Sequence, residues 1–390
     1  MREAYIVSSV RTPGCRRAKG AFAQTRPEEL LSHILKAAVD KINIPAGDID
    51  DVMVGCAFPE AEQGLNLGRI AVQMAGFPDD VCGATVNRFC SSGLEAIALS
   101  ALKIKAGWAD VAMGAGCESM SIVPMGGNLP RPHPEWAKKQ PDVYISMGIT
   151  AENVANRYKI SREDQDKFAV LSNQKAAAAQ EAKKFTEIVP TPATRYKMQA
   201  DGTYLKDSFM QDFDDGVRKD TTLEGLAKLR PAFSALGSVT AGNSSQTTDG
   251  AAATVLMSEE ALKRYNVKPL ARIVTYTAAG CRADEMGVGP KYAIPKALKL
   301  AGLKISDLGV YELNEAFASQ ALHCIRELGI DVNLCNLTGG AIALGHPLGC
   351  TGAKLMATLV RNLHESGAKY GCESMCIGGG MGAAMIIEKC

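Results

Sequence analysis

The 390-residue chain carries 43 basic and 42 acidic residues, a formal net charge of +1. That length suits two or three domains, or one large α/β unit with an insertion, and the balanced charge gives no bulk attraction for nucleic acid or an anionic membrane, so an anionic ligand must find a local patch. No run approaches the roughly 18 apolar residues of a membrane span, and the opening MREAYIVSSV has a charged pair and a short strand-like run in place of a secretory signal. The reading is a soluble, cytoplasmic protein.

Twelve cysteines would suggest disulfides in a short secreted chain, but here they are scattered through a long one and predict reduced, mostly buried thiols. No CxxC pair occurs, and the histidines at 33, 133, 323, 346 and 364 do not share zinc-ligand spacing with cysteines, so no metal site is expected.

In chain order, AYIVSS (4–9) reads as a strand, EELLSHILKAAVDKI (28–42) as an amphipathic helix and DVMVG (51–55) as a second strand. After Cys90, the residues Leu94, Ile97, Ala98 and Ala101 stand at helical spacing, and DVAMGAG (110–116) is again strand-like. Residues 119–248 break the alternation with a Pro/Gly-rich stretch (VPMGGNLPRPHPEW), an Ala-rich helix near 163–184 and a polar region around DGTYLKDSFMQDFDDGVRKD, the pattern of an inserted surface domain. Strands return with LARIVTYTA (270–278) and SMCIGG (374–379). The fold class expected is α/β with largely buried sheets.

The chain also repeats itself. PAGDIDDVMVGCAF ends at Phe58 and KISDLGVYELNEAF at Phe317, each after a helix, and the same offset of 259 residues carries Cys90 onto Gly349 inside GHPLGCTGAK. Two matches at one offset predict two similar halves.

Four stretches carry chemistry-bearing residues. In NRFCSSGLEA the Cys90 sulfur is placed at a helix N-terminus, where free N–H groups and the helix dipole stabilise a thiolate; the expectation is a lowered pKa and a nucleophile, with a buried structural cysteine as the other reading. His346 lies in a loop with glycines at 339, 340, 345, 349 and 352, either a base for a thiol or a packed histidine. Cys376 ends an apolar strand ahead of Gly378 to Gly380, a turn whose backbone N–H groups suit an oxyanion. Asn314, in YELNEAF, ends another strand, where an amide can orient a water or a carbonyl, or simply close a turn.

Together NRFCSSG, NEAF, GHPLG and CIGGGMG resemble the thiolase family, in the family's order. GCESMS (116–121), MGITAENVA (147–155), ISREDQD (160–166), LAKLRPAF (226–233) and VTAGNSSQTTDGAAA (239–253) extend the resemblance along essentially the whole chain. It implies the thiolase fold: duplicated βαβαβαββ halves in α/β/α/β/α layers with an inserted loop domain. The corresponding division is 1–118 plus 249–270 for the N-terminal half, 119–248 for the loop domain that binds CoA, and 271–390 for the C-terminal half.

The resemblance further implies Cys90 as nucleophile, His346 as its base and Cys376 as the acid/base at the α-carbon. Asn314 would hold a water for the enolate oxygen, and the N–H groups of Cys90 and Gly378 would meet the tetrahedral oxyanion. Arg218, Ala241, Ser245 and Phe317 match CoA contacts, and Gly225 stands where the family commonly has a serine. Coenzyme A is a co-substrate, no cofactor is held permanently, and a homodimer or homotetramer is expected. Short-chain biosynthetic members commonly carry a histidine where this chain has Ser146. With NRFCSSGLEA in place of NQLCGSGLRA, that favours the degradative 3-ketoacyl-CoA group over an acetoacetyl-CoA thiolase, with Met147 and Met286 as acyl-chain walls. A ketoacyl-ACP synthase pairs its cysteine with two histidines or a histidine and an asparagine, and a thiolase-like lipid carrier is expected to lose a reactive group. The four positions here favour a thiolase over both, with the lipid carrier kept as the alternative from another class.

Overall fold

The computed structural model describes residues 2–390. The first half runs β1 (Tyr5–Arg11), a short β2 (Cys15–Arg16), α1 (Pro27–Asp40), β3 (Asp51–Gly55), α2 (Leu67–Met74), β4 (Cys82–Val86), α3 (Ser92–Lys105) and β5 (Val111–Ser119). Helix α1 begins on Pro27, whose fixed φ and missing N–H suit the first helical position, and Glu28 and Glu29 face the positive end of the helix. Its Leu30, Leu31, Ile34, Leu35 and Ala38 form the buried stripe that the periodicity predicts. Every residue of β5 is buried, which is why it reads as a continuous run of small and apolar residues and not as an alternation.

An excursion then carries α4 (Pro134–Lys139), α5 (Met147–Arg157), α6 (Arg162–Glu181), the antiparallel hairpin β6 (Thr191–Met198) and β7 (Tyr204–Gln211), and α7 (Leu223–Ala227) before the chain returns as β8 (Thr248–Met257). Strands β5 and β8 pair antiparallel, with Ser119 opposite Asp249, so the chain leaves and re-enters the sheet at one point. The Ala-rich helix expected at 163–184 is α6. The hairpin is not foreseen from the polar stretch, because most of β7 is exposed and no apolar alternation marks it.

Helix α8 (Glu259–Tyr265) leads to the second half: β9 (Ala271–Gly280), α9 (Gly289–Ala301), β10 (Leu308–Leu313), α10 (Ala318–Leu328), α11 (Ala341–Leu344), α12 (Thr351–Ser366), β11 (Tyr370–Ile377) and β12 (Met381–Lys389). Ten strands form one ladder, ordered β10-β11-β12-β9-β1-β8-β5-β3-β4 with β2 on β8. Its two halves join where Tyr5 and Ile6 of β1 pair with Arg272 and Ala271 of β9. The repeat is physical: α3 begins at 92 and α12 at 351, β5 at 111 and β11 at 370, each pair 259 residues apart. Between α10 and α12 the strand pairing shrinks to one bridge, Tyr311 to Cys335.

Three apolar clusters define five layers. Helices α1 and α2 cover the outer face of the first half's strands through Leu31, Ile34, Leu67 and Val72. In the middle, Leu94, Ile97 and Ile104 of α3 and Met356, Leu359 and Leu363 of α12 lie between the two halves, against Leu256 on one side and Met375 and Met385 on the other. Helices α9 and α10 close the far face through Ala293, Ile294 and Ala321. The order is α/β/α/β/α, and the loops where strands hand over to the central helices carry the candidate site.

Candidate active site

Cys90 sits in a 3-10 turn, Phe89–Ser91, that leads into α3, and is 6% exposed. Phe89, immediately before it, is held at φ +43°, an unusual backbone for a bulky residue. The backbone N–H groups of Cys90 itself and of Gly378 favour the thiolate. Burial outweighs them and pushes the thiol up to about 11. This corrects the expectation of a lowered pKa: the turn supplies the donors, but removing the sulfur from water costs the anion more than two N–H groups return. In the resting protein Cys90 is a thiol.

The ring of His346 is 4% exposed. Its Nδ1 lies 2.5 Å from Thr351 Oγ1, and that hydroxyl also donates to Pro347 O at 3.0 Å. A hydroxyl has one proton, so with Pro347 taking it Thr351 accepts from Nδ1–H. Nε2 is then the lone-pair nitrogen, and Asn314 Nδ2 faces it at 3.4 Å. Burial, reinforced by the charge of Lys354, lowers the imidazole to about 3, so the ring is neutral. Asn314 is fully buried, its N–H on Ser374 O at 2.9 Å and its C=O on Gln320 Nε2 at 3.0 Å, while its Oδ1 has no protein partner. Leu348, two residues past His346, packs against Cys90.

Cys376 ends β11 with no exposure, opposite Gly382 of β12. Burial first, then the nearby thiols of Cys90, Cys324 and Cys281, hold it well above the ordinary thiol range. In the turn that follows, Gly379 and Gly380 take φ +83° and +88°, and a Cβ on Gly380 would stand 2.5 Å from Cys281 O. Space next to Gly378 is bounded by Met147 and Phe89. Met147, at the start of α5, and buried Met286 pack with Phe317 and Cys376.

Two buried carboxylates tie these loops together. Glu118, with no exposure, accepts from Ala57 N at 2.8 Å, Gln63 Nε2 at 2.8 Å and Gly349 N at 2.7 Å, joining loops of both halves beneath Cys90. Glu315 accepts from Ser172 Oγ at 2.6 Å, Asn336 Nδ2 at 2.8 Å and Ile342 N at 3.2 Å, which fastens the turn after Asn314 to α6 and α11. Both lie inside stretches quoted from the sequence, yet only the fold reveals that they hold backbone N–H groups.

A small cleft of about 20 Å³ opens beside this centre, lined among others by Arg218, Ala241, Leu226 and Gln246. Ser245 N bonds Ala316 O at 2.9 Å, and Phe317 meets Phe233 edge-on at 5.9 Å. Gly225 lies in α7 beside its cap, Thr222 Oγ1, which accepts from Gly225 N at 3.1 Å. The structure thus gathers Cys90, Gly378, Cys376, Met147, Met286 and Phe317 in one place and His346 with Asn314 directly beside it. Arg218 and Ala241 stand at the outer cleft.

The family model described as Thiolase, N-terminal domain matches residues 4–260, and that described as Thiolase, C-terminal domain matches residues 267–389. The chain is 51% identical to a 3-ketoacyl-CoA thiolase of Bacillus subtilis (strain 168), over the full length of both. It is 45% identical to the peroxisomal 3-ketoacyl-CoA thiolase A of Mus musculus, covering 99% of this chain and 91% of that one. With the peroxisomal 3-ketoacyl-CoA thiolase 1 of Arabidopsis thaliana the identity is 43%, over 99% and 88%. The duplicated five-layer fold, the cysteine turn facing a glycine turn from the other half, and these full-length similarities lead to one conclusion: the chain belongs to the thiolase family.

Proposed function

We propose that the protein cleaves 3-ketoacyl-CoA with CoA to acetyl-CoA and a shortened acyl-CoA, in fatty-acid β-oxidation, through an acyl-Cys90 intermediate. The observation that carries this reading is that the backbone N–H groups of Cys90 and of Gly378, from opposite halves, both favour the anion at the Cys90 sulfur, a donor pair equally suited to an oxyanion. Neutral His346 supports the role of base, with Nε2 as its unprotonated nitrogen.

As the Cys90 sulfur attacks the 3-keto carbon, His346 Nε2 takes the thiol proton, and the tetrahedral oxyanion meets the N–H groups of Cys90 and Gly378. The C2–C3 bond breaks, its electron pair forms the enolate of acetyl-CoA, and the Cys376 thiol protonates C2. Asn314 Oδ1, buried and without a protein partner, supports a water at the enolate oxygen beside His346. CoA then gives its thiol proton to the Cys376 thiolate and attacks the acyl carbon; Cys90 leaves as thiolate and recovers its proton from His346. Both thiols are restored.

Residues 119–248 serve in this reading as the loop domain, with 1–118 plus 249–270 and 271–390 as the two halves. Arg218, Ala241, Ser245 and Phe317 contact CoA, and Met147 and Met286 line the acyl chain. Ser146, in place of the histidine of short-chain members, favours the longer substrates. The enzyme acts in the cytoplasm as a homodimer or homotetramer. The test is CoA-dependent cleavage of acetoacetyl-CoA and of a medium-chain 3-ketoacyl-CoA, with Cys90→Ala as control. Efficient cleavage of the longer substrate, abolished in the control, supports the reading; activity confined to acetoacetyl-CoA makes it a short-chain thiolase, and none on either removes the enzymatic assignment.

A further inference from the structure

Lys354 lies in the first turns of α12, three residues past Thr351, and is 4% exposed. Its Nζ donates to Leu344 O at 2.9 Å and Gly345 O at 3.1 Å, the last two carbonyls before His346. That segment needs holding. Gly345 has φ +81° and ψ 161°, a backbone open essentially to glycine alone, and a Cβ there would stand 2.2 Å from Thr248. Helix α12 therefore grips the histidine twice, through Thr351 on the ring and through Lys354 on the backbone behind it.

The surroundings leave this ammonium without an ion-pair partner of its own. Arg11 of β1, fully buried, takes Asp214 in two bonds of 2.7 and 2.9 Å and Glu187 at 3.4 Å. Glu187 in turn pairs with Arg361 at 2.8 Å. Three buried cations, Arg11, Lys354 and Arg361, thus share Asp214 and Glu187, with buried Glu312 nearby and half-exposed Glu365 on the outer side of Arg361. Asp214 and Gly14 are also bonded, at 2.6 Å, so the charges join the first half, the 119–248 excursion and α12.

We propose that Lys354 is a positioning residue for His346, fixing the backbone from which the ring projects and placing a buried positive charge behind it. This rests on His346 being the base. The other groups at the ring, Thr351 of α12, Asn314 at the end of β10 and the backbone bridge to Thr247, are uncharged. Lys354 itself is lowered to about 8 by burial, against the pull of Asp214; Arg11 lowers it further, and Cys350 and Glu312 raise it. At neutral pH it is largely an ammonium, and its charge disfavours the imidazolium. The acid side of the rate profile then lies below that of an ordinary histidine.

The experiment compares thiolysis by the full-length wild type, Lys354→Met and Lys354→Arg between about pH 3 and 8. In the Met variant kcat should fall about tenfold to a hundredfold with the KM for CoA nearly unchanged, and the acidic limb of kcat/KM should move up by about one pH unit or more. Lys354→Arg, which keeps the charge and the donors, should recover most of the rate and return the limb. A Met variant with its limb where the wild type has it overturns the proposal, whatever its kcat. If circular dichroism finds the Met variant unfolded, Lys354→Gln, which keeps a donor and loses the charge, takes its place in the same pH series: a limb moved up supports the proposal, and a limb left in place overturns it. Thiolysis surviving in His346→Gln overturns the base assignment and this proposal together, whereas its loss beside an unmoved limb in Lys354→Met overturns the Lys354 role alone.

Discussion

Gly93 and Gly352 hold equivalent positions in the two halves and meet each other: a Cβ on Gly93 would stand 2.8 Å from Ala353 N, and one on Gly352 would stand 2.3 Å from Leu94 N. The first turns of α3 and α12 therefore touch backbone to backbone, and the loops bearing Cys90 and His346 lie immediately ahead of that contact. Replacing Gly352 by Ala should force the helices apart, destabilise the fold by about 1–3 kcal/mol or more and reduce thiolysis further than the stability loss alone explains. Denaturant unfolding and kcat on the same preparation check it.

Asn314→Ala should lower kcat about a hundredfold or more while the protein stays folded, since the backbone bonds of residue 314 to Ser374 and Gln320 do not involve its amide. Steady-state kinetics and a thermal melt separate the two effects. A loss confined to KM would contradict a water-holding role.

Cys90 at about 11 is almost wholly protonated near neutrality without substrate. Alkylation of the substrate-free enzyme by iodoacetamide should be slow at pH 7 and climb by close to tenfold per unit as pH rises toward that value. Stopped sampling with mass spectrometry of the Cys90 peptide gives the rate, and a plateau already reached near pH 7 would contradict it.

Glu312 and Glu373 are neighbours on β10 and β11, both buried; Glu312 has Asn362 Nδ2 at 2.7 Å and Glu373 has no partner on either oxygen. Burial, only partly offset by Asn362 and the charge of Arg361, raises Glu312 to about 8, and Glu373 is raised as well. A carboxyl with a folded pKa above its unfolded one gives stability at low pH that is lost as pH rises from about 4.5 through about 8. Glu312→Gln keeps an oxygen for Asn362 and cannot ionise. Its melting temperature should fall less than the wild type's between these pH values, as a pH series of melts would show.

Much of this was legible in the sequence because the patterns are local. The α1 stripe, the buried run of β5 and the 259-residue offset need only neighbouring residues and a ruler, and the four motifs carry the resemblance directly. What escaped depended on distant partners. The Cys90 turn announces N–H donors, but the depth that raises its thiol comes from both halves closing over it. Glu118 and Lys354 look like surface charges in a sequence and become interior supports only when Gly349 and Leu344 are brought to them. Hairpin β6–β7 was unreadable for the opposite reason, since a strand with little to bury leaves no period.

Cys90 belongs to the first half, whereas Asn314, His346, Cys376 and Gly378 all belong to the second. A ribosome-bound chain that has folded only its first half holds a thiol with neither a base nor a second thiol beside it. Its sulfur also lacks the Gly378 N–H, which only the glycine turn supplies. The full set of groups thus comes together only when β11 and the glycine turn emerge, among the last residues made.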